Sequence, residues 1–134
     1  MYENLCKPLN VEKEIKLFSG TGNPELSKRV AEILHLELQG LHLEKFANGE
    51  TYARFVESVR GDEVFFIQTL AGPNVNDLLM ETLIVADAAT RASADNFTVV
   101  IPHYGYARQD RKAAPREPIT ARLVANLQIG RAHV

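Results

Sequence analysis

The chain has 134 residues, 46% of them hydrophobic and 24% charged, which suits one globular domain with a buried core. Its net charge of −2 argues against any general attraction to nucleic acid or to an anionic membrane. The single cysteine, Cys6, excludes an internal disulfide and a cysteine-built zinc site, and fits a reducing, cytoplasmic setting. No stretch nears the roughly 18 apolar residues of a membrane span. Glu3, Lys7, Glu12, Lys13 and Glu14 interrupt the apolar core that a signal peptide needs.

Residues 1–13 show no clear period and read as an extension. "EIKLFSG" reads as a short buried strand that ends at Gly20. Asn23 suits a helix N-cap, Pro24 the first helical position, and Glu25 the positive helix end. Leu26, Val30, Ile33 and Leu34 then share one predicted face. "LQGLHLEKF" and "TYARFVESV" are strand-like runs around "ANGE", and Asn48-Gly49 is a strong hairpin signal. A hairpin or flap is expected there. "EVFFIQT" follows a turn at residues 60–62 and is almost continuously apolar, as in a strand covered on both faces.

The loop "LAGPNVN" leads to a predicted helix over about residues 77–91. Leu79, Met80, Leu83, Ile84, Ala86 and Ala88 would form its broad buried side. Asp87 and Arg91, four apart, are expected to pair on its surface. "NFTVVIP" is the next strand, stopped at Pro102. A cationic loop follows, then a helix from Ile119 with Ile119, Leu123 and Leu127 in register. Strand and helix alternate, which implies an α/β fold with a mainly parallel sheet flanked by helices.

Residues 128–134, "QIGRAHV", break the last helical pattern at Gly130. The codons ATC GGA AGA GCA CAC GTC of a common sequencing adapter translate as Ile-Gly-Arg-Ala-His-Val. The tail is therefore expected to be non-native, with no function for Arg131 or His133.

Three motifs carry chemistry. "GTGNPE" (residues 20–25) has two glycines of a dinucleotide fingerprint but Glu25 where the third belongs, so a tight strand-to-helix turn is the favoured reading. "KFANGE" (residues 45–50) reads by itself as a hairpin tip. "YARQDRK" (residues 106–112) reads by composition either as a solvated loop with Arg–Asp pairs or as an anion site. Four of the fifteen Lys and Arg residues, namely Arg108, Arg111, Lys112 and Arg116, lie between residues 108 and 116. Ligands of open α/β sheets bind at the carboxyl ends of strands, where this loop falls. Such local charge fits a small anion better than a long polyanion. His35, His42 and His103 show no ligand spacing, so no metal is assigned to them.

"YGYARQDRK" followed by "REPITA" and "LVANL" resembles the ribose-phosphate pyrophosphokinase (PRPP synthetase) family, over residues 15–127. "FSG", "NPEL" and "ESVRG" agree. The resemblance implies the N-terminal half of a two-domain, phosphoribosyltransferase-like enzyme. It implies transfer of diphosphate from ATP to the 1-hydroxyl of ribose 5-phosphate, giving PRPP and AMP, with magnesium bridging the phosphates. Residues 14–127 would be most of the first domain. ATP contacts carry over to Phe46, Asn48, Gly49 and Glu50 at the flap, and to Arg108, Gln109 and Asp110 in the cationic loop. Phe46 would stack on adenine, Asn48 and Glu50 would hydrogen-bond the nucleotide, and Gly49 would let the backbone turn. Arg108 offers a planar fork for phosphate oxygens. Arg111, Lys112 and Arg116 are open between phosphate or regulatory-anion binding and surface charge.

Asn48 departs from the family's usual Asp and loses its charge, and His103 stands where Tyr is common. The resemblance also implies hexamers built of dimers, with one subunit's flap serving another's nucleotide site. The family's magnesium-holding segment, catalytic loop and ribose 5-phosphate loop would lie beyond residue 127, so no catalytic residue and no metal ligand is assigned here. This chain by itself is expected to be inactive and poorly soluble. The contrasting expectation is a non-catalytic regulatory homologue of the same fold, which Asn48 favours and the intact "RQDRK" opposes.

Overall fold

A computed structural model describes residues 12–129. The expected extension therefore lies almost wholly outside the described residues, as do residues 130–134. Three parallel strands form the main sheet in the order β1 (Ile15–Ser19), β4 (Glu63–Ile67), β5 (Asn96–Val100). Leu17 pairs with Phe65, and Phe65 with Thr98. β2 (Leu41–Lys45) and β3 (Thr51–Phe55) make the expected antiparallel hairpin, with His42 opposite Arg54. The helices are α1 (Pro24–Leu34), α2 (Val75–Arg91) and α3 (Thr120–Ile129). The α/β class and the mainly parallel sheet are as expected. None of the described helices is long and apolar enough to cross a membrane.

Local chemistry explains the boundaries. The Leu26 amide donates to Asn23 Oδ1 at 3.1 Å, Pro24 opens α1, and His35 closes it in the left-handed region at φ 53°. α2 starts two residues before the expected position, at Val75, and its Asn74 cap makes no side-chain hydrogen bond. The Asp87–Arg91 pair forms at 2.7 Å.

One face of the sheet is covered by α2 and the hairpin; the other is covered by α1 at β1 and β4, while Thr98 and Val100 of β5 stay exposed. Phe18, Val64, Phe66 and Phe97 pack with Val85 and Ala89 of α2, and the hairpin adds Leu43 and Phe55 to that side. The Phe18 and Phe55 rings meet edge to face at 4.8 Å. Leu17 and Ile67 pack with Ala31 of α1. Residues alternate sides along a strand, so β1 sends Leu17 and Phe18 into separate clusters.

All three helices sit in a different register from the expected one. α1 buries Ser27 and Ala31, while Ile33 is 76% exposed and Leu34 also faces out. Small side chains let the helix lie close to the sheet, and the larger Leu26 and Val30 flank the contact, half-buried. α2 buries Leu78, Glu81, Thr82, Val85, Ala86 and Ala89. Met80 is exposed; Leu79, Leu83, Ile84 and Ala88 are only half-buried. Two polar residues occupy the inner stripe because each has a buried partner, such as Thr82 Oγ1 donating to the Leu78 carbonyl at 2.8 Å. In α3, Val124 is buried while Leu123 and Leu127 are exposed. An apolar period locates a helix face only when the polar residues on the core side are absent or recognised.

Candidate functional site

Parallel strands bring three loops to one edge of the sheet: residues 20–23 after β1, 68–74 after β4, and 101–119 after β5. Ligands of open α/β sheets bind at this edge. The three loops are chemically unlike.

The glycine turn after β1 is fully engaged with its own protein. The Gly20 amide donates to the Ile67 carbonyl at 2.8 Å. The Thr21 amide and hydroxyl donate to Glu81 Oε1 and Oε2 at 2.8 and 2.7 Å. The Gly22 amide donates to Gln68 Oε1 at 3.0 Å, and Gln68 Nε2 donates to Glu81 Oε1 at 2.7 Å. A Cβ on Gly20 would stand 2.4 Å from Gln68 Oε1, and one on Gly22 would stand 2.2 Å from the Thr69 carbonyl oxygen. These glycines serve close packing. The amides of residues 20–22 are spent on the Ile67 carbonyl, the Glu81 carboxylate and the Gln68 side-chain oxygen, which is the wrong environment for a phosphate. Sequence reasoning passed over Gln68 and Glu81. The available signal was a polar residue at the end of an apolar strand and an acid within an apolar helix run.

The segment 103–109 after β5 has the opposite character. Its backbone is anchored while its cations are free. The Leu70 amide donates to the His103 carbonyl at 3.0 Å. Gly105 is buried, and a Cβ there would meet Val75 Cγ1 at 2.9 Å. The Tyr104 hydroxyl donates to the Ala121 carbonyl at 3.0 Å, and burial pushes its pKa above the ordinary tyrosine value. The Tyr106 hydroxyl bonds Asn76 Oδ1, and its carbonyl accepts from the Gln109 amide at 2.9 Å. The Gln109 carbonyl accepts from the Ala121 amide at 3.1 Å. Arg108 and Gln109 are exposed and line a cleft of about 570 Å³ between this segment and loop 70–76.

Among the described residues, none of Arg108, Arg111, Lys112 and Arg116 takes part in an ion pair. The Arg–Asp pairing that composition allowed does not form. Glu117 is occupied otherwise, accepting from the Ala113 and Ala114 amides at 2.8 and 2.9 Å. Asp110 is exposed and does not line the cleft. Neighbouring cations without an ion-pair partner are an electrostatic invitation to an anion.

The hairpin tip forms a second group. The Phe46 amide donates to the Glu50 carbonyl and the Gly49 amide to the Phe46 carbonyl, both at 2.8 Å. The Glu50 amide donates to Asn48 Oδ1 at 3.1 Å. Gly49 has φ +89°, which a side chain would strain. Phe46 is 47% exposed, with its ring 6.1 Å from that of Tyr52. Lys45 ties the hairpin to Asp77 of α2 at 2.5 Å. Phe46, Asn48, Gly49 and Glu50 line a cleft of about 530 Å³ with Met80 and Ile84. It shares no lining residue with the Arg108 cleft.

Among the described residues no group of three or more His, Cys, Asp or Glu side chains could hold a metal ion.

The geometry of a three-loop edge with a cationic segment after β5 can be set beside known proteins. The model of the N-terminal domain of ribose phosphate pyrophosphokinase matches residues 15–129. The chain belongs to the ribose-phosphate pyrophosphokinase family. It is 54% identical over 113 residues to the ribose-phosphate pyrophosphokinase of Maricaulis maris, covering 84% of this chain and 36% of that protein. It is 51% identical over 125 residues to ribose-phosphate pyrophosphokinase 1, chloroplastic, of Oryza sativa subsp. japonica, covering 92% and 31%. The fold matches the crystal structure of phosphoribosylpyrophosphate synthetase from Mycobacterium smegmatis with a TM-score of 0.83 and 46% identity, over 87% of this chain and 39% of that one. The chain thus spans about a third of the length of these pyrophosphokinases.

Proposed function

We propose that this chain is the nucleotide-gripping part of a ribose-phosphate diphosphokinase that moves diphosphate from ATP to ribose 5-phosphate, giving PRPP and AMP. The observation that carries this is the unpaired Arg108 beside Gln109 on the wall of a cleft at the carboxyl edge of the sheet. The Arg108 guanidinium would hold phosphate oxygens through its two-pronged donor geometry. Gln109 would donate to the nucleotide and accept from it. Transfer of a phosphoryl-type group depends on positioning and on neutralising charge. The fixed cation of Arg108 would serve both while the 1-hydroxyl of ribose attacks the β-phosphorus. Magnesium, when bound, would neutralise the polyphosphate; its ligands are assigned to no residue here. With about a third of its relatives' length, the chain alone is expected to show no turnover.

Phe46, Asn48, Gly49 and Glu50 would hold the nucleoside end. The complete nucleotide site would combine the hairpin of one copy with the cationic loop of another, within a homo-oligomer of the hexamer-of-dimers kind.

The test is equilibrium binding of ATP to the chain, with and without Arg108→Ala. Losing a charge-assisted pair should weaken affinity about tenfold or more. Equal affinity for the two chains would remove the basis for the proposal.

A further inference from the structure

We infer that Tyr106 is a positioning residue, anchored on Asn76, that sets how Arg108 meets a polyphosphate. The inference rests on the proposed function and deepens it.

Tyr106 has φ +65°. A bulky side chain is an outlier in that region and persists only where its surroundings hold it. Three contacts do so. Its hydroxyl bonds Asn76 Oδ1. Its carbonyl accepts from the Gln109 amide, closing a tight turn around Ala107 and Arg108. Gly105, immediately before it, lies close against Leu70 and Val75, where an added Cβ would stand 2.9 Å from Val75 Cγ1.

Asn76 is a firm anchor because it lies in the first turn of α2, whose next turns are seated in the core through Leu78 and Glu81. Tyr104 provides a separate tie, to the first turn of α3 through the Ala121 carbonyl. The two tyrosines thus reach different helices from either side of a glycine. Arg108, two residues beyond Tyr106, has no ion-pair partner among the described residues, and the turn sets where its backbone stands. Tyr106, Asn76, Arg108 and Gln109 all line the same cleft. Binding energy is conserved when a charged fork is already aimed at its ligand, because less conformational freedom is lost on association.

The probe is inorganic tripolyphosphate, titrated into the 134-residue chain carrying Tyr106→Phe, Asn76→Ala, Arg108→Ala, or Tyr106→Phe with Arg108→Ala. The thermal midpoint of each chain is measured alongside. Tyr106→Phe removes one oxygen and should weaken affinity about fivefold, and Asn76→Ala by a similar factor. In the Arg108→Ala background, Tyr106→Phe should change nothing further, because an effect routed through Arg108 vanishes with it. A purely structural role would lower the thermal midpoint and would weaken binding in both backgrounds alike; that result overturns the inference. Wild-type affinity in Tyr106→Phe, with a loss in Arg108→Ala, also overturns it while the proposed function stands. Loss in Asn76→Ala alone would assign Asn76 to direct ligand contact and refute the bridge. No tripolyphosphate binding by the unaltered chain, or no effect of Arg108→Ala, brings down the proposed function and the inference with it.

Discussion

The loops after β1 and β5 stand at the same edge of one sheet, and both pass through glycine, yet they do opposite work. In the turn at residues 20–23, backbone amides and the Thr21 hydroxyl are consumed by Gln68 and Glu81. In the segment at residues 103–109, the backbone is consumed by neighbours but the guanidinium is left over. An anion site is defined by donors and charge without an internal partner, more than by glycine content. The buried Glu81 makes the point sharply. A carboxylate at 7% exposure needs several donors to be tolerated, and it draws three from Thr21 and Gln68.

The comparison can be broken most forcefully at Glu81. Glu81→Ala would strand the Thr21 and Gln68 donors in a buried space and should cost about 3–5 kcal/mol of stability. Denaturant unfolding checks it; a loss under about 1 kcal/mol would mean the network is ornamental. Gly20→Ala comes next. The added methyl would overlap the Gln68 side chain, with an expected cost of about 1–3 kcal/mol. At the other loop, Arg108→Ala should leave stability within about 0.5 kcal/mol of the parent while reducing ATP affinity as stated above. Calorimetry on one sample reads both quantities, and a destabilised Arg108→Ala chain would count against a free guanidinium.

The contrast sharpens with Thr21→Val, which removes the hydroxyl that meets Glu81 Oε2. It should cost about 1 kcal/mol of stability and leave tripolyphosphate affinity unchanged. Weakened affinity in that chain would show that the glycine turn belongs to the anion site after all.

The smallest effect concerns pH. Burial raises the pKa of Tyr104, so the neutral phenol is favoured in the folded state. That contribution is fully present below the unfolded tyrosine value of about 10 and is lost as pH rises through the higher folded value. Tyr104→Phe should therefore flatten the fall in thermal midpoint above about pH 10 relative to the parent. An unchanged alkaline slope would mean Tyr104 does not report the fold.

Much of the architecture was legible in the one-dimensional pattern. Asn23 and Pro24 announced α1, Asn48-Gly49 announced the hairpin, and the β-branched and aromatic run at residues 63–67 announced a strand covered on both sides. The strings "YGYARQDRK", "REPITA" and "LVANL" carried the family resemblance. Helix faces were misjudged by about one residue, because Ser27, Glu81 and Thr82 face inward where apolar periodicity favoured Ile33, Met80 and Leu83.

Local chemistry, read along the chain, determined where strands, turns and caps fall, since those depend on neighbours a few residues apart. Only the folded chain decided which charges stay unpaired. Whether Arg108 finds an acid, whether Glu81 finds three donors, and whether Tyr106 finds Asn76 thirty residues away are questions of long-range approach. A carboxylate neutralises a cation only within a few ångströms, and no reading of spacing in sequence supplies that distance.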